Sequence, residues 1–155
     1  MLPKNILFCT DFSDSSRLAQ QYAIEFSAAL SCHLAIIHVI DSSLLGYSSL
    51  SGKIPAEVRK LLEEIHESVG KALQIIAADC GKHVSHVLVC SRMGKPGPEI
   101  LRASKELGSD LIVMGTHGRT GLQHLLLGST AAKVLRGANC PVLIVRFSHD
   151  AAPNK

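Results

Sequence analysis

Tryptophan is absent, and two Tyr and four Phe are the only aromatic residues apart from histidine. With 46% hydrophobic but 4% aromatic residues, the core has to be built from Val, Ile, Leu and Ala, which suits a parallel sheet wrapped by helices. No run approaches the roughly 18 uninterrupted apolar residues of a spanning helix, and the first residues lack the apolar stretch of a secretory leader. The expectation is a soluble cytoplasmic protein with no membrane partner. Charge of one sign is also scarce: 16 basic against 13 acidic residues leave +3, and the basic residues are scattered rather than clustered, so no nucleic-acid footprint is present. Five cysteines, an odd number without any C-x2-C, argue against a disulfide framework or a zinc ribbon and for reduced, mostly buried thiols. His83 and His86 lie three apart in a segment that alternates like a strand. They would point to opposite faces, and no metal is assigned to them.

Two nucleotide motifs are missing as well. None of the four Gly-Lys pairs is followed by Ser or Thr, which removes the P-loop, and no G-x-G-x2-G occurs, which counts against a dinucleotide fold. What is present is the stretch from Asp110 to Arg136, D-L-I-V-M-G-T-H-G-R-T-G-L-Q-H-L-L-L-G-S-T-A-A-K-V-L-R. It opens on a buried-strand run, Leu111 to Met114, and closes in a helix begun by Gly128, Ser129 and Thr130, with a hydroxyl expected at the N-cap and Gly137 expected at C′. Gly115, Gly118, Gly128 and Ser129 form G-x2-G-x9-G-[ST] between strand and helix. Glycines there let backbone amides approach a ligand, and the helix dipole faces the same space, so the pattern suits an anion cradle. A competing reading is that the glycines only shape a loop and a helix start.

The rest of the chain alternates. Lys4 to Thr10 reads as a first strand with Asp11 at its carboxyl end, where the carboxylate could accept from a ribose or an adenine amine, or could cap the following helix with Ser13. Ser16 to Leu30 carries Leu18, Tyr22, Phe26 and Leu30 at i+4 and reads as an amphipathic helix. Leu34 to Ile40 is a second strand, with Val39 near its carboxyl end. Asp41 to Ile54 is polar and glycine-rich, a loop beside the pocket that serves as connection or lid. Pro55 opens a helix with Val58, Leu61, Leu62, Ile65, Val69, Leu73 and Ile76 on one face, ended by Gly81. His83 to Val89 is expected as a third strand and Ser91 to Pro98 as a turn-rich link, whose Arg92 and Lys95 either face phosphates or are solvated. A helix follows to Leu107. Val142 to Val145 is a final apolar strand after Pro141, and the polar tail from Ser148 to Lys155 is expected to fray.

The string M-G-T-H-G-R-T-G-L-Q-H-L-L-L-G-S-T followed by A-N-C-P-V-L-I-V-R resembles the C-terminal signature of the universal stress protein family. L-P-K-N-I-L-F-C-T-D-F-S-D-S-S-R at Leu2 to Arg17 resembles that family's first strand and acidic turn, and H-V-I-D at His38 to Asp41 resembles the end of its second. The resemblance spans Leu2 to Phe147, specific in the last third and weak in the middle.

Alternation of strands and helices with right-handed crossovers predicts a single α/β domain over residues 1–147, a five-stranded parallel sheet with helices on both faces. The resemblance implies the Rossmann-like order 3-2-1-4-5, which reverses between strands one and four and so puts a ligand where Asp11 meets the Gly115 loop. It further implies ATP, or AMP or ADP, as ligand, with Mg2+ or Mn2+ between the phosphates. Asp11 and Val39 would hold the adenosine half and Gly115, Gly118, Gly128 and Ser129 the phosphates. Thr116, His117, Arg119 and Thr130 are further candidates for phosphate contact. The last strand would lie at an edge, and a homodimer joined along Val142 to Val145 would cover it. No triad, positioned base or metal-ligand set is apparent, so binding with at most slow hydrolysis is expected. The alternative is a dimeric stress-response scaffold that binds no nucleotide. A nucleotidyltransferase or ATP pyrophosphatase would need H-x-G-H or S-G-G-x-D-S, and neither string occurs.

Overall fold

The computed structural model describes residues 2–45, 55–116 and 127–146. The elements run β1 (Asn5–Cys9), α1 (Asp14–Leu30), β2 (His33–Asp41), a 3-10 turn (Ser42–Leu45), α2 (Ala56–Cys80), β3 (Val87–Gly94), α3 (Pro96–Glu106), β4 (Leu111–Gly115), α4 (Ser129–Gly137) and β5 (Val142–Val145). All strand pairs are parallel, in the order β3-β2-β1-β4-β5. Because successive strand residues face opposite sides, β1 divides its side chains between two cores. Ile6 and Phe8 pack with Ala19 and Ala23 of α1 and Leu73 and Cys80 of α2. Leu7 and Cys9 pack with Ile100 and Ala103 of α3 and Ala131 and Val134 of α4. Helices therefore cover both faces, and β1, β2 and β4 read as continuous apolar runs because they are buried on both sides. Among the described residues no helix is long and apolar enough to cross a membrane.

Several boundaries differ from the sequence reading. Helix α1 starts at Asp14 because Ser13 caps it, its side chain accepting from the Ser16 N–H. The buried line of α1 is Ala19, Ala23 and Ser27, small residues that bring the helix close to the sheet, while Tyr22 and Phe26 remain 42% and 37% exposed. In α2, Leu61 is exposed, and Pro55 is the cap rather than the first helical residue. Four residues of the expected Asp41–Ile54 loop form the 3-10 turn, and 46–54 lie outside the described residues.

Strand β3 begins four residues later than expected, so neither His83 nor His86 is part of it, and it continues through Ser91–Gly94, where turn residues were read. The polar sequence is tolerated because β3 is an edge strand and Arg92 finds carboxylates on α3: Glu106, in close contact, and Glu99 at 3.8 Å. Those two partners answer the question of Arg92: it ties strand to helix. Helix α3 takes Pro96 at its first position. The N-cap of α4 is Gly128, not a hydroxyl, and Gly137 is its last helical residue. A Cβ on Gly137 would come within 2.6 Å of a Leu101 methyl, so this glycine serves the approach of α3 to α4 rather than a left-handed cap.

The candidate functional site at the carboxyl edge

The strand order reverses between β1 and β4, and a cavity of about 500 Å3 lies there at the carboxyl ends of the strands. Its floor is the turn that follows β1. Thr10 donates its N–H to the Ile37 carbonyl (2.9 Å), and its hydroxyl pairs with that of Ser16 (3.1 Å) and accepts from the Phe12 N–H (3.1 Å). Phe12 is held at φ 65°, left-handed for a non-glycine residue, with its ring against the buried His38, centroids 4.4 Å apart. His38 Nδ1 lies 2.8 Å from the Thr10 carbonyl oxygen. A carbonyl only accepts, so Nδ1 carries the proton. Such locally strained backbone, secured by surrounding bonds, is the kind found at ligand sites.

Asp11 follows Thr10 on the cavity wall. Its Oδ1 accepts from the Ser13 N–H (3.1 Å) and hydroxyl (2.6 Å), so it braces the residue that caps α1 as well as lining the cavity. Asp41 repeats this device at the end of β2, with Oδ1 accepting from the Ser43 N–H (2.9 Å) and hydroxyl (2.6 Å). Asp41 lines the same cavity. The sequence reading missed it, although D-F-S and D-S-S share their spacing. Val39 is half-buried beside Ile37, Ile100 and Met114, and Ile65 and Val69 of α2 add a second apolar wall.

Opposite Asp11 lies the anion side. Gly115, Thr116, Gly128, Ser129 and Thr130 line the cavity with Asp11 and Val39, so seven of the ten residues singled out from sequence line one cavity. The other three, His117, Gly118 and Arg119, lie outside the described residues. The Thr116 N–H is engaged by the Val145 carbonyl (3.0 Å) and Ser15 Oγ (3.1 Å), and its carbonyl accepts from the Gly128 N–H (2.8 Å). These bonds tie Thr116 to Gly128 and occupy two of the amides expected to cradle an anion. Among the described residues no side chain caps the first-turn amides of α4, and helical first-turn N–H groups have no intrahelical partner. The glycines also differ in purpose. A Cβ on Gly115 would collide with Ser15 of α1, whose carbonyl carbon would be 2.9 Å away, whereas Gly128 has φ −67° and ψ 155°, open to any residue.

Cys9 lies on the floor, but burial, and then nearby Cys140, push its thiol far above the usual range, so it stays neutral and is no nucleophile. All five cysteines are free. Among the described residues no group of three or more His, Cys, Asp or Glu could hold a metal ion. The arrangement offers donors and a positive helix end on one side, and carboxylates and apolar side chains on the other.

An open parallel sheet with a cleft at its topological switch point defines a Rossmann-like α/β domain. The model of the universal stress protein family matches residues 3–146, and this chain belongs to that family. Universal stress protein MJ0577 of Methanocaldococcus jannaschii is 31% identical over 156 residues, which cover 92% of this chain and 94% of that protein. The solved structure of MJ0577 superimposes with a TM-score of 0.85 at 27% identity, covering 96% of this chain and 99% of that one. A universal stress protein solved in complex with cAMP shares the fold (TM-score 0.69, 22% identity, 96% and 100% covered). So does one from Archaeoglobus fulgidus in complex with dAMP (TM-score 0.65, 19% identity, 94% and 99% covered).

Proposed function

We propose that this chain is an adenine-nucleotide-binding universal stress protein, with ATP as the first candidate ligand and AMP or ADP as competitors. One observation carries the reading: the first turn of α4, with no side-chain cap among the described residues, lines the same cavity of about 500 Å3 as Asp11 and Val39. That volume falls within the range of roughly 300–1,000 Å3 usual for small-molecule sites. Phosphates sit at Ser129 and Thr130, where backbone amides, two hydroxyls and the helix dipole act together, and His117, Gly118 and Arg119 join them from the glycine loop. The adenosine half lies against Asp11 and Val39. Support comes also from the two family members of the same fold solved with cAMP and dAMP.

A divalent ion, Mg2+ or Mn2+, belongs to the proposal as a partner of the phosphates rather than of a protein carboxylate cluster. It would be held by phosphate oxygens and the Ser129 or Thr130 hydroxyl, and it neutralises phosphate charge. The neutral Cys9 thiol and the bonded Asp11 supply no activated nucleophile, so the protein binds nucleotide with at most slow hydrolysis. The reading extends to a cytoplasmic homodimer joined along β5, where Val142, Leu143 and Ile144 are half-buried on an edge strand.

The test is calorimetric titration of the nucleotide-free protein with Mg-ATP and Mg-GTP, beside light scattering for oligomeric state. Saturable binding of Mg-ATP to a dimer is expected. Absence of binding by either nucleotide would leave the scaffold reading in its place.

A further inference from the structure

A second concavity, of about 510 Å3, opens at the opposite, amino-terminal edge of the sheet, between the starts of β1, β2 and β3 and the end of α3. Its rim carries His33, the first residue of β2, and His86, the residue before β3. Leu34 pairs in register with Val87, the Leu34 N–H donates to the His86 carbonyl (3.0 Å), and the His33 N–H donates to the Lys4 carbonyl (2.8 Å). The two histidines are thus neighbours on adjacent strands, their backbones fixed by sheet hydrogen bonds. Their ring centroids are 5.0 Å apart with planes at 76°, and both residues are exposed.

The electrostatics of this edge are the reverse of the nucleotide edge. Helices α1, α2 and α3 end here, each delivering the chain into β2, β3 and β4, and helix C-termini carry partial negative charge. Neither α1 nor α2 has a basic residue in its last turn. The last turn of α3 carries Lys105, while Leu107 and Ser109 after it line the concavity. These helix ends favour a small cation at this edge, against the charges of Lys4 and of Lys82, which follows α2. Two imidazoles are good ligands for borderline divalent metals, and a tetrahedral zinc ion with Zn–N bonds of about 2.0–2.1 Å needs its two nitrogens only about 3.3 Å apart. The ring centroids already lie 5.0 Å apart, close to what such a pair of ligands requires.

We propose that His33 and His86 form a two-imidazole site for a borderline divalent ion of the zinc class, at the sheet edge opposite the nucleotide cavity. Among the described residues no third His, Cys, Asp or Glu joins them, so water completes the coordination and the ion exchanges. The pairing was invisible from sequence because His33 and His86 are brought together by strand register, whereas the sequence directs attention to His83 and His86.

The experiment is a titration of the full chain with ZnCl2, followed by long-range 1H–15N spectra of the imidazoles and by calorimetry, on the wild type and on His33→Gln and His86→Gln. The ring signals of His33 and His86 should move together and saturate near one equivalent, ahead of the other histidines. Each substitution should weaken binding by roughly tenfold or more, since one of two protein ligands is lost. Unchanged melting of both metal-free variants would show that the fold is intact. Should the two rings fail to shift together, or should His33→Gln bind zinc like the wild type, the pair is an aromatic contact and nothing more. A variant that melts lower is judged by the wild-type spectra alone, which decide the matter without it.

Discussion

Replacing Gly115 by Ala separates two meanings of a glycine at a ligand site. Seen from the loop motif, Gly115 is there so that a ligand can come close. In the fold, the space its Cβ would take is already filled by Ser15: the carbonyl carbon would be 2.9 Å away and the Ser15 Cβ 3.0 Å, with the hydroxyl nearer still. The first two are atoms of a helix start locked into the sheet, so relief requires α1 to shift. Overpacking of this kind costs about 1–3 kcal/mol, and displacing Ser15 also weakens its hydrogen bond to the buried Thr116 N–H, worth about 1 kcal/mol. A loss of about 3 kcal/mol is expected, which at roughly 3 °C per kcal/mol for a domain of this size lowers the melting temperature by about 9 °C. Thermal and urea unfolding of nucleotide-free protein give the number. Ser15→Ala, destabilising by about 1 kcal/mol in the wild type through the lost bond, should cost less in the Gly115→Ala background because it removes one of the clashing atoms. If Gly115→Ala melts with the wild type and only nucleotide binding is lost, the steric argument is wrong and the glycine belongs to the ligand.

Gly128→Ala should do the converse: φ −67° and ψ 155° are backbone angles that alanine adopts readily, so melting should change little, while binding of Mg-ATP falls as the Cβ intrudes on the first turn of α4. Arg92→Ala should remove a pH-dependent contribution. Arg92 holds the Glu106 carboxyl below its ordinary value of 4.5, so the ion pair stabilises the fold above that pH and ceases to do so as pH falls through the lowered value. The melting temperatures of the two proteins should differ at about pH 7 and converge as pH falls through that lowered value. Thiol titration with a disulfide reagent at about pH 8 should modify the half-buried Cys90 and Cys140 first. Cys9, Cys32 and Cys80 should react only on unfolding: all three are buried, and burial, aided by Asp79, raises Cys80 to about 11.

A five-stranded parallel sheet with helices on both faces was legible because doubly buried strands are written as apolar runs, Ile6 to Cys9, Leu34 to Ile37 and Leu111 to Met114, whereas the strand order came from the family resemblance. Edge strand β3 was read out of register because an edge tolerates Ser91, Arg92 and Gly94, and the partners that make them strand residues, Glu99 and Glu106, lie on the next helix. In the site, the apposition of Asp11 and Gly128 to Thr130 followed from topology. What could not be read was competition for the same atoms: the Thr116 and Gly128 amides are consumed by bonds to the Val145 and Thr116 carbonyls, and Gly115 is shaped by Ser15, a hundred residues away in sequence. Asp41, by contrast, was available in the repeated D-x-S spacing.

The central claim is that the carboxyl-edge cavity holds an adenine nucleotide, and the most direct measurement is the absorbance spectrum of purified, untagged protein, followed by chromatography of what acid releases. With no Trp and two Tyr the protein itself absorbs weakly near 280 nm, so bound adenine would dominate the spectrum. ATP, ADP or AMP released in near-stoichiometric amount, and lost in Gly128→Ala, is the predicted result. A protein that releases no nucleotide, and whose melting temperature does not rise with added Mg-ATP, would contradict it.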